Sequence, residues 1–187
     1  LTFISLATVS LLITPLHLNF SEYLTSFSYI VRFVLYILFA WLATSDAFGD
    51  FRQSLQKVLL LAGISFAVLG LLQFISFPNL EFLNYAGWDP HYFRTVSTFF
   101  DPNFAGGFFV LTLLLVIQNF ASDRKWNTLF FITVYLALLT TFSRSSYAMF
   151  LTSGLILSVL KRSKKFFIAT IILFAVLLLG FMIYTQL

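Results

Sequence analysis

Two arginines stand apart from the other cations of this sequence, because each lies among hydroxyl, amide and small residues between apolar stretches. Arg94 opens the segment Arg94-Thr-Val-Ser-Thr-Phe-Phe-Asp-Pro-Asn103, and Arg144 lies within Thr140-Thr-Phe-Ser-Arg-Ser-Ser146. Arginine presents a planar fork of N–H donors and a charge that does not titrate, which matches phosphate oxygens better than lysine does. These residue types predict that a phosphate-bearing anion binds here.

The segment that ends at Asn103 predicts a turn that opens a helix. Pro102 has a fixed φ, and Asn103 is the predicted N-cap of a helix that begins near Phe104. A helix N-terminus carries partial positive charge and free N–H groups, and Gly106 and Gly107 would let a ligand or another helix approach the backbone. An anion site fits this pattern. An ordinary cap followed by glycine-mediated helix packing fits it as well and needs no ligand.

The elements that carry these segments are far more apolar than those of a soluble domain. The chain is 60% hydrophobic and 10% charged, against roughly 45–50% and 25% in globular proteins. Its continuous apolar runs lack the alternation of a β-barrel, and the first run lacks the features of a signal peptide. We therefore predict an all-α, polytopic transmembrane bundle that forms a single membrane domain over 1–187, as a part of a longer protein. Spans of about 20 residues are predicted at 1–18, 27–44, 58–77, 104–120, 126–142, 145–160 and 166–184.

The cations predict the orientation of these spans. Alternate loops hold eight of the eleven lysines and arginines, and the remaining loops hold only Arg94 and Arg144. Because cytoplasmic loops carry the excess of lysine and arginine, the loops with Arg94 and Arg144 are predicted to be extracytoplasmic. We interpret the run Lys161–Lys165 as a topological anchor, in preference to an anionic-lipid or nucleic-acid site. Arg32 is expected near the outer end of the second span, and the carboxylates expected on the outer side are those of Glu22, Glu81, Asp89 and Asp101.

Several kinds of chemistry are excluded or disfavoured by the sequence. The chain has no cysteine, which excludes disulfides, thiolate metal sites and a cysteine nucleophile. Asp89 and Asp101 are too far apart for the paired carboxylates of a nucleotide-sugar metal site, and there is no glycine-rich phosphate loop or hydrolase serine elbow. We therefore predict no metal and no cofactor. Four aromatic residues precede Arg94, and they fit either sugar stacking or an interfacial belt: Tyr85, Trp88, Tyr92 and Phe93.

In its two arginine segments the chain resembles the O-antigen ligase and polymerase superfamily. Members of that superfamily carry an Arg-x-x-(small)-Thr-Phe-x-x-Pro-Asn-x-x-(Ala/Gly) segment and, further along, a Thr-x-Ser-Arg-(small) segment. Residues that match the first segment are Arg94, Thr98, Phe99, Pro102, Asn103 and Gly106, and those that match the second are Thr141, Ser143, Arg144 and Ser145. The ligase-like core would then begin near residue 90 and continue to residue 187.

The resemblance implies a metal-independent membrane glycosyltransferase of the bacterial cytoplasmic membrane. Such an enzyme transfers a glycan from an undecaprenyl-pyrophosphate donor to a lipid or glycan acceptor on the extracytoplasmic face, as in the synthesis of lipopolysaccharide and other surface polysaccharides. Arg94 and Arg144 would bind the donor pyrophosphate and stabilise the charge that grows on it as it departs. Supporting roles fall to Thr98, Asn103, Ser143 and Ser145.

The resemblance does not place a catalytic base within this sequence. The family's base is a histidine in a large external loop, which we expect beyond Leu187. His17 and His91 do not occupy that position, and an ordinary solvated histidine is the interpretation we favour for His91.

Two alternatives to an enzyme stay open. A transporter or flippase for an anionic lipid-linked substrate would line its path with the same arginines, although inverted repeats and broken helices, which are typical of transporters, are not evident. A structural membrane subunit would tolerate substitution of both arginines.

Overall fold

The computed structural model describes residues 2–13, 19–44, 49–87, 89–118 and 124–186. Within these ranges the chain forms seven α-helices and no strands, which confirms the predicted all-α class. Two short 3₁₀ turns, Glu81–Ala86 and Ser97–Phe99, lie between the third and fourth helices. The helices are α1 (Thr2–Ile13), α2 (Phe20–Thr44), α3 (Gly49–Ser76), α4 (Pro102–Gln118), α5 (Arg124–Thr141), α6 (Arg144–Leu160) and α7 (Lys164–Tyr184).

Helix α3 begins at Gly49, nine residues before its predicted start at 58, and helix α2 differs from its predicted bounds as well. It begins at Phe20, well before the expected start at Phe27, because Asn19 and Glu22 cap it reciprocally. Asn19 Oδ1 accepts the Glu22 N–H at 3.0 Å, and Glu22 Oε2 accepts the Asn19 N–H at 2.9 Å, so two backbone donors of the helix start are satisfied. Arg32 therefore lies near the middle of α2 and not near its end, where the sequence predicts it, and its guanidinium lies 5.2 Å from the centroid of the Tyr29 ring.

Two helical stretches of the described chain are long and apolar enough to cross a membrane, Gln53–Ser76 and Lys164–Tyr184. Pro102–Gln118 is also apolar but shorter. Little of either long stretch is buried, whereas the core helix of a soluble domain would be mostly buried. The prediction of about seven spans is thus met by length and composition in two helices and stays a prediction for the others.

The chain divides into two compact units, Leu1–Leu55 and Gln56–Leu187, where the sequence predicts one membrane domain. In the first unit α1 packs against α2. The second unit contains α4 to α7 together with most of α3, and it carries both arginine segments. All statements about the candidate site concern this second unit.

Helix α4 is central in the second unit, where it packs against both α5 and α6, while α6 packs along α7. At the contact between α6 and α7, a Cβ on Gly154 would lie 2.4 Å from Thr170 Cγ2, so only glycine allows this approach. Residues fully or almost fully buried in this unit include Ala67, Phe109, Val134, Leu138, Tyr147 and Leu177.

Both arginine segments lie at the same end of this unit. Thr95 N donates to Thr140 O at 2.8 Å, and Tyr184 Oη donates to Tyr92 O at 3.1 Å. These bonds join the segment before α4 to the C-terminal ends of α5 and α7. We call this the arginine end, since Arg94 and Arg144 lie there, and we call the opposite end, with Lys125 and Lys161–Lys165, the lysine end.

Candidate functional site

The segment 77–101, between α3 and α4, is fixed in place by side chains of the helices. Gln73 Oε1 accepts the Val96 N–H at 3.0 Å, and Gln73 Nε2 donates to Phe77 O at 3.1 Å and to Arg94 O at 3.4 Å. Sequence reasoning missed Gln73. The available signal was a lone amide in an otherwise apolar stretch, because polar side chains in such helices bond to neighbouring elements.

Further hydroxyl contacts hold the same segment. Ser97 Oγ donates to Phe66 O at 2.8 Å, and the hydroxyls of Thr95 and Thr140 lie 2.7 Å apart. The ring of Phe99 packs at 5.4 Å, edge to face, against the ring of Phe66. Together these contacts fix the backbone on both sides of Arg94.

Strained backbone is concentrated at the arginine end. Four residues here have positive φ although none is glycine: Phe93 (50°), Ser97 (53°), Phe100 (54°) and Phe142 (47°). Each such residue costs on the order of 1–3 kcal/mol and persists only where surrounding contacts enforce it. The contacts of Phe142 include a stack on Tyr184, with ring centroids 4.2 Å apart.

Arg94 holds the C-terminal end of α5. Its Nε donates to Thr141 O at 2.8 Å, and its Nη2 donates to Phe142 O at 3.3 Å. A cation at this position satisfies free carbonyl groups and faces the negative end of the helix dipole. These bonds use two of the five N–H donors of the guanidinium, so Arg94 has a structural role and still has donors for a ligand.

The electrostatic surroundings of Arg94 include the second arginine. Partial burial lowers the pKa of Arg94, and the charge of Arg144 lowers it further, while Tyr184 and Asp101 act in the opposite direction. Arginine nevertheless remains charged at any ordinary pH. The two guanidinium groups therefore create one region of positive potential.

Arg144 is the first residue of α6 and is exposed. The residue before it, Ser143, is the N-cap, since its Oγ accepts the Ser146 N–H at 3.3 Å. Within the described chain the Arg144 side chain has no hydrogen bond and no carboxylate partner, and Asp101, one of the carboxylates expected on this side, is bonded elsewhere. An unpaired cation thus stands at the positive end of a helix, which is an arrangement suited to an anion.

Asp101, and not Asn103, caps α4. Its Oδ1 accepts the N–H groups of Asn103 at 2.6 Å and Phe104 at 3.0 Å. The helix begins at Pro102, before the predicted start near Phe104, because proline is favoured as the first helical residue and lacks the N–H that would need a cap. The predicted N-cap role of Asn103 is therefore wrong.

Asn103 instead joins α4 to the start of α6. Its Oδ1 accepts hydrogen bonds from Ser143 Oγ at 2.7 Å and from Ser145 Oγ at 3.2 Å, and its backbone carbonyl accepts one from Ser146 Oγ at 3.2 Å. These contacts fix the orientation of the amide. Its Nδ2 group has no partner among the described residues and lies beside the N-terminus that carries Arg144.

Gly106 makes this junction possible. A Cβ at Gly106 would lie 2.3 Å from Ser146 Oγ and 3.3 Å from Thr141 Oγ1, so a side chain would push α4 away from α6. At Gly107 the nearest atoms to such a Cβ are those of Met149, at 3.8 Å. Of the two glycines, only Gly106 is required by the packing.

The remaining predicted residues lie around this cluster with fewer contacts. Thr98 is exposed, and its side chain has no hydrogen bond in the described part of the chain. His91 is half-buried, and its pKa is lowered by burial and by Arg94, against the opposing effect of Asp101 and Asp89. Tyr85, Tyr92 and Phe93 are exposed, while Trp88 and His17 lie outside the described residues.

The described residues include no group of three or more histidine or acidic side chains that would hold a metal ion. A scan against protein-family models, a search of curated proteins and a search of solved structures find no match to this chain. The resemblance to the ligase and polymerase superfamily therefore depends on the residues of the two arginine segments alone.

Proposed function

We propose that this chain takes part in transferring a glycan from an undecaprenyl-pyrophosphate donor to a lipid or glycan acceptor, on the extracytoplasmic face of the bacterial cytoplasmic membrane. The observation that carries the proposal is the unpaired Arg144 at the N-terminus of α6. Arg94 and the Asn103 amide lie at the same end of the unit. There Asn103 bonds to Ser145, next to Arg144, although Asn103 and Ser145 are 42 residues apart in the sequence.

This arrangement suits a departing pyrophosphate. Negative charge grows on that group as the glycosidic bond breaks, and donors that are already oriented stabilise it without reorganisation. Arg144 offers a planar fork to phosphate oxygens, and the α6 N-terminus adds its partial positive charge. Asn103, oriented by Ser143 and Ser145, contributes amide donors. Arg94 adds positive potential while it holds the end of α5, so we assign it both binding and positioning roles.

The membrane supplies the donor in this proposal. The lipid tail of the donor lies in the bilayer, and its pyrophosphate lies at the membrane edge, where an exposed arginine meets both water and lipid. In a bundle oriented by the positive-inside rule, the lysine end faces the cytoplasm and the arginine end faces outward. Tyr85, which is 97% exposed, then offers a ring face to the sugar.

Reconstitution tests the proposal. The complete protein is placed in proteoliposomes with labelled undecaprenyl-pyrophosphate glycan and a membrane extract of the native host as the source of acceptor. Loss of one donor of this kind costs about 10²–10³-fold in rate, so Arg144→Ala should reduce transfer by at least about 10²-fold. Arg162→Ala is the matched control, since it removes an exposed arginine at the lysine end.

Several results would count against the proposal. Unchanged transfer by Arg144→Ala would show that this arginine does not bind the donor. Equal loss in Arg162→Ala would show that the effect is one of general charge. Movement of the labelled lipid across the bilayer without glycan transfer would favour a flippase. Arg144→Lys should recover only part of the activity, because lysine lacks the bidentate fork.

A further inference from the structure

The second unit contains a cavity away from the arginine end. Its volume is about 460 Å³, and α4, α5, α6 and α7 all contribute to its wall. Along α6 and its C-cap the lining runs from Phe150 to Lys161. This interval corresponds to about 17 Å at the 1.5 Å rise of an α-helix, and half of a hydrocarbon core of about 30 Å is nearly the same length. The cavity thus matches the depth of one leaflet.

The wall of the cavity is apolar except at one end. Two hydroxyl residues line it, Ser153 and Thr170, but both hydroxyls donate to backbone carbonyls of their own helices, to Phe150 O at 3.1 Å and to Phe166 O at 2.9 Å. Neither hydroxyl therefore has its proton free for a ligand. Among the described residues, the only charged one that lines the cavity is Lys161, whose Nζ lies 5.4 Å from the centroid of the Phe166 ring.

Lys161 belongs to a dense group of cations. Lys161, Arg162, Lys164 and Lys165 are all exposed, and within the described ranges none of them is joined to a carboxylate. Their charge sits where α6 ends and α7 begins, directly at the charged end of the cavity. An apolar cavity as deep as one leaflet, with unpaired cations at its end, is complementary to a molecule with a long hydrocarbon chain and an anionic headgroup.

We propose that the cavity holds one acyl chain of an anionic phospholipid, whose phosphate is bound by Lys161. The proposal depends on the chain lying in a membrane, but it does not depend on glycan transfer. It replaces the interpretation of Lys161–Lys165 as a topological anchor alone with a specific lipid site.

Lipid binding by the complete protein tests this proposal. The protein is purified from vesicles of phosphatidylglycerol or of phosphatidylcholine, and retained lipid is counted by native mass spectrometry. Lys161→Gln should weaken phosphatidylglycerol retention about tenfold or more, the effect of one lost charge-assisted hydrogen bond. Lys165→Gln changes the charge equally and should bind like the unsubstituted protein, because Lys165 does not line the cavity.

A second pair of variants tests where the acyl chain lies. Ala169 lines the cavity, whereas Ala175, also exposed on α7, does not. Ala169→Trp should displace the retained lipid, and Ala175→Trp should leave it bound. Should Ala169→Trp fail to fold, Ser153→Cys carrying a bimane label gives the same information in a complete protein without other cysteines; these 187 residues contain none. Phosphatidylglycerol with a spin label on its acyl chain should quench that bimane.

The proposal is overturned if Lys161→Gln and Lys165→Gln retain the lipid equally, or if Ala169→Trp retains as much as Ala175→Trp. Equal retention of phosphatidylcholine, or equal quenching by it, would contradict the proposed preference for an anionic headgroup. Absence of quenching would show that something other than lipid, such as another helix, fills the cavity. None of these results tests the proposed glycan transfer, which is measured separately with variants of the arginine end.

Discussion

The contact of α4 with α6 at Gly106 permits a sharp mutational test of the arginine end. In Gly106→Ala the new Cβ would lie 2.3 Å from Ser146 Oγ and 2.6 Å from Ser146 Cβ, whereas in Gly107→Ala the nearest atom is 3.8 Å away. Both changes gain about 1 kcal/mol of helix propensity. Only Gly106→Ala overpacks the interface, at a cost of about 1–3 kcal/mol. We therefore expect Gly106→Ala to be about 1–3 kcal/mol less stable than Gly107→Ala, which isolates the overpacking cost.

The free energy of unfolding can be measured by titrating sodium dodecyl sulfate into dodecyl maltoside micelles and following tryptophan fluorescence. Ser146→Gly removes both close atoms. The nearest contact to the Cβ of Gly106→Ala is then Thr141 Oγ1 at 3.3 Å. Combined with Gly106→Ala, Ser146→Gly should therefore show a favourable coupling of about 0.5–3 kcal/mol. Equal stability of the two alanine variants, or no coupling in the double variant, would refute the proposed contact between α4 and α6.

The other predictions concern the same end of the unit. Asp101→Ala should lower the free energy of unfolding by about 1 kcal/mol in the same titration, while Asp101→Asn retains the cap; equal stability of these two variants would contradict the capping role. Tyr184→Phe keeps the stack on Phe142 but loses the bond to Tyr92 O, and should cost about 0.5–1.5 kcal/mol, whereas no loss would show that this bond adds nothing. The pKa of His91 lies below its ordinary value of 6.5, so the unfolded chain binds the proton more readily and stability falls as pH drops through 6.5 towards the lowered pKa. In an NMR titration Asp101→Asn should lower the pKa of His91 further and Arg94→Gln should raise it, and a pKa that neither change moves would contradict this arrangement.

The positions of the helices were predictable because apolar runs of sufficient length determine them. Their ends were less predictable, since caps extend a helix into polar sequence. The serines, threonine and tyrosine between Phe20 and Phe27 are typical of a loop, yet the Asn19 and Glu22 cap extends α2 through them. This extension moves Arg32 from the expected helix end to the middle. Length alone also does not decide how many helices cross a membrane, and that number stays a prediction.

The candidate site was predictable where its residues are close in sequence. Ser143 and Ser145 flank Arg144, and the helix that begins there follows from the cap. Contacts between residues that are distant in the sequence leave no local pattern from which they could be predicted. The bond from Arg94 to Thr141 O joins residues 47 apart, and it gives Arg94 a structural role that no local pattern indicated. Gln73 was missed for the same reason, since its partners lie in a segment without regular structure.

The most direct test of the central claim is the affinity of the complete protein for undecaprenyl pyrophosphate in detergent, compared among the unsubstituted protein, Arg144→Gln and Arg162→Gln. Loss of a hydrogen bond to a charged group costs about 1.5–3 kcal/mol, which corresponds to binding about 10- to 150-fold weaker. We predict this loss for Arg144→Gln and no change for Arg162→Gln. Equal affinity in both variants would contradict the assignment of the arginine end as the pyrophosphate site.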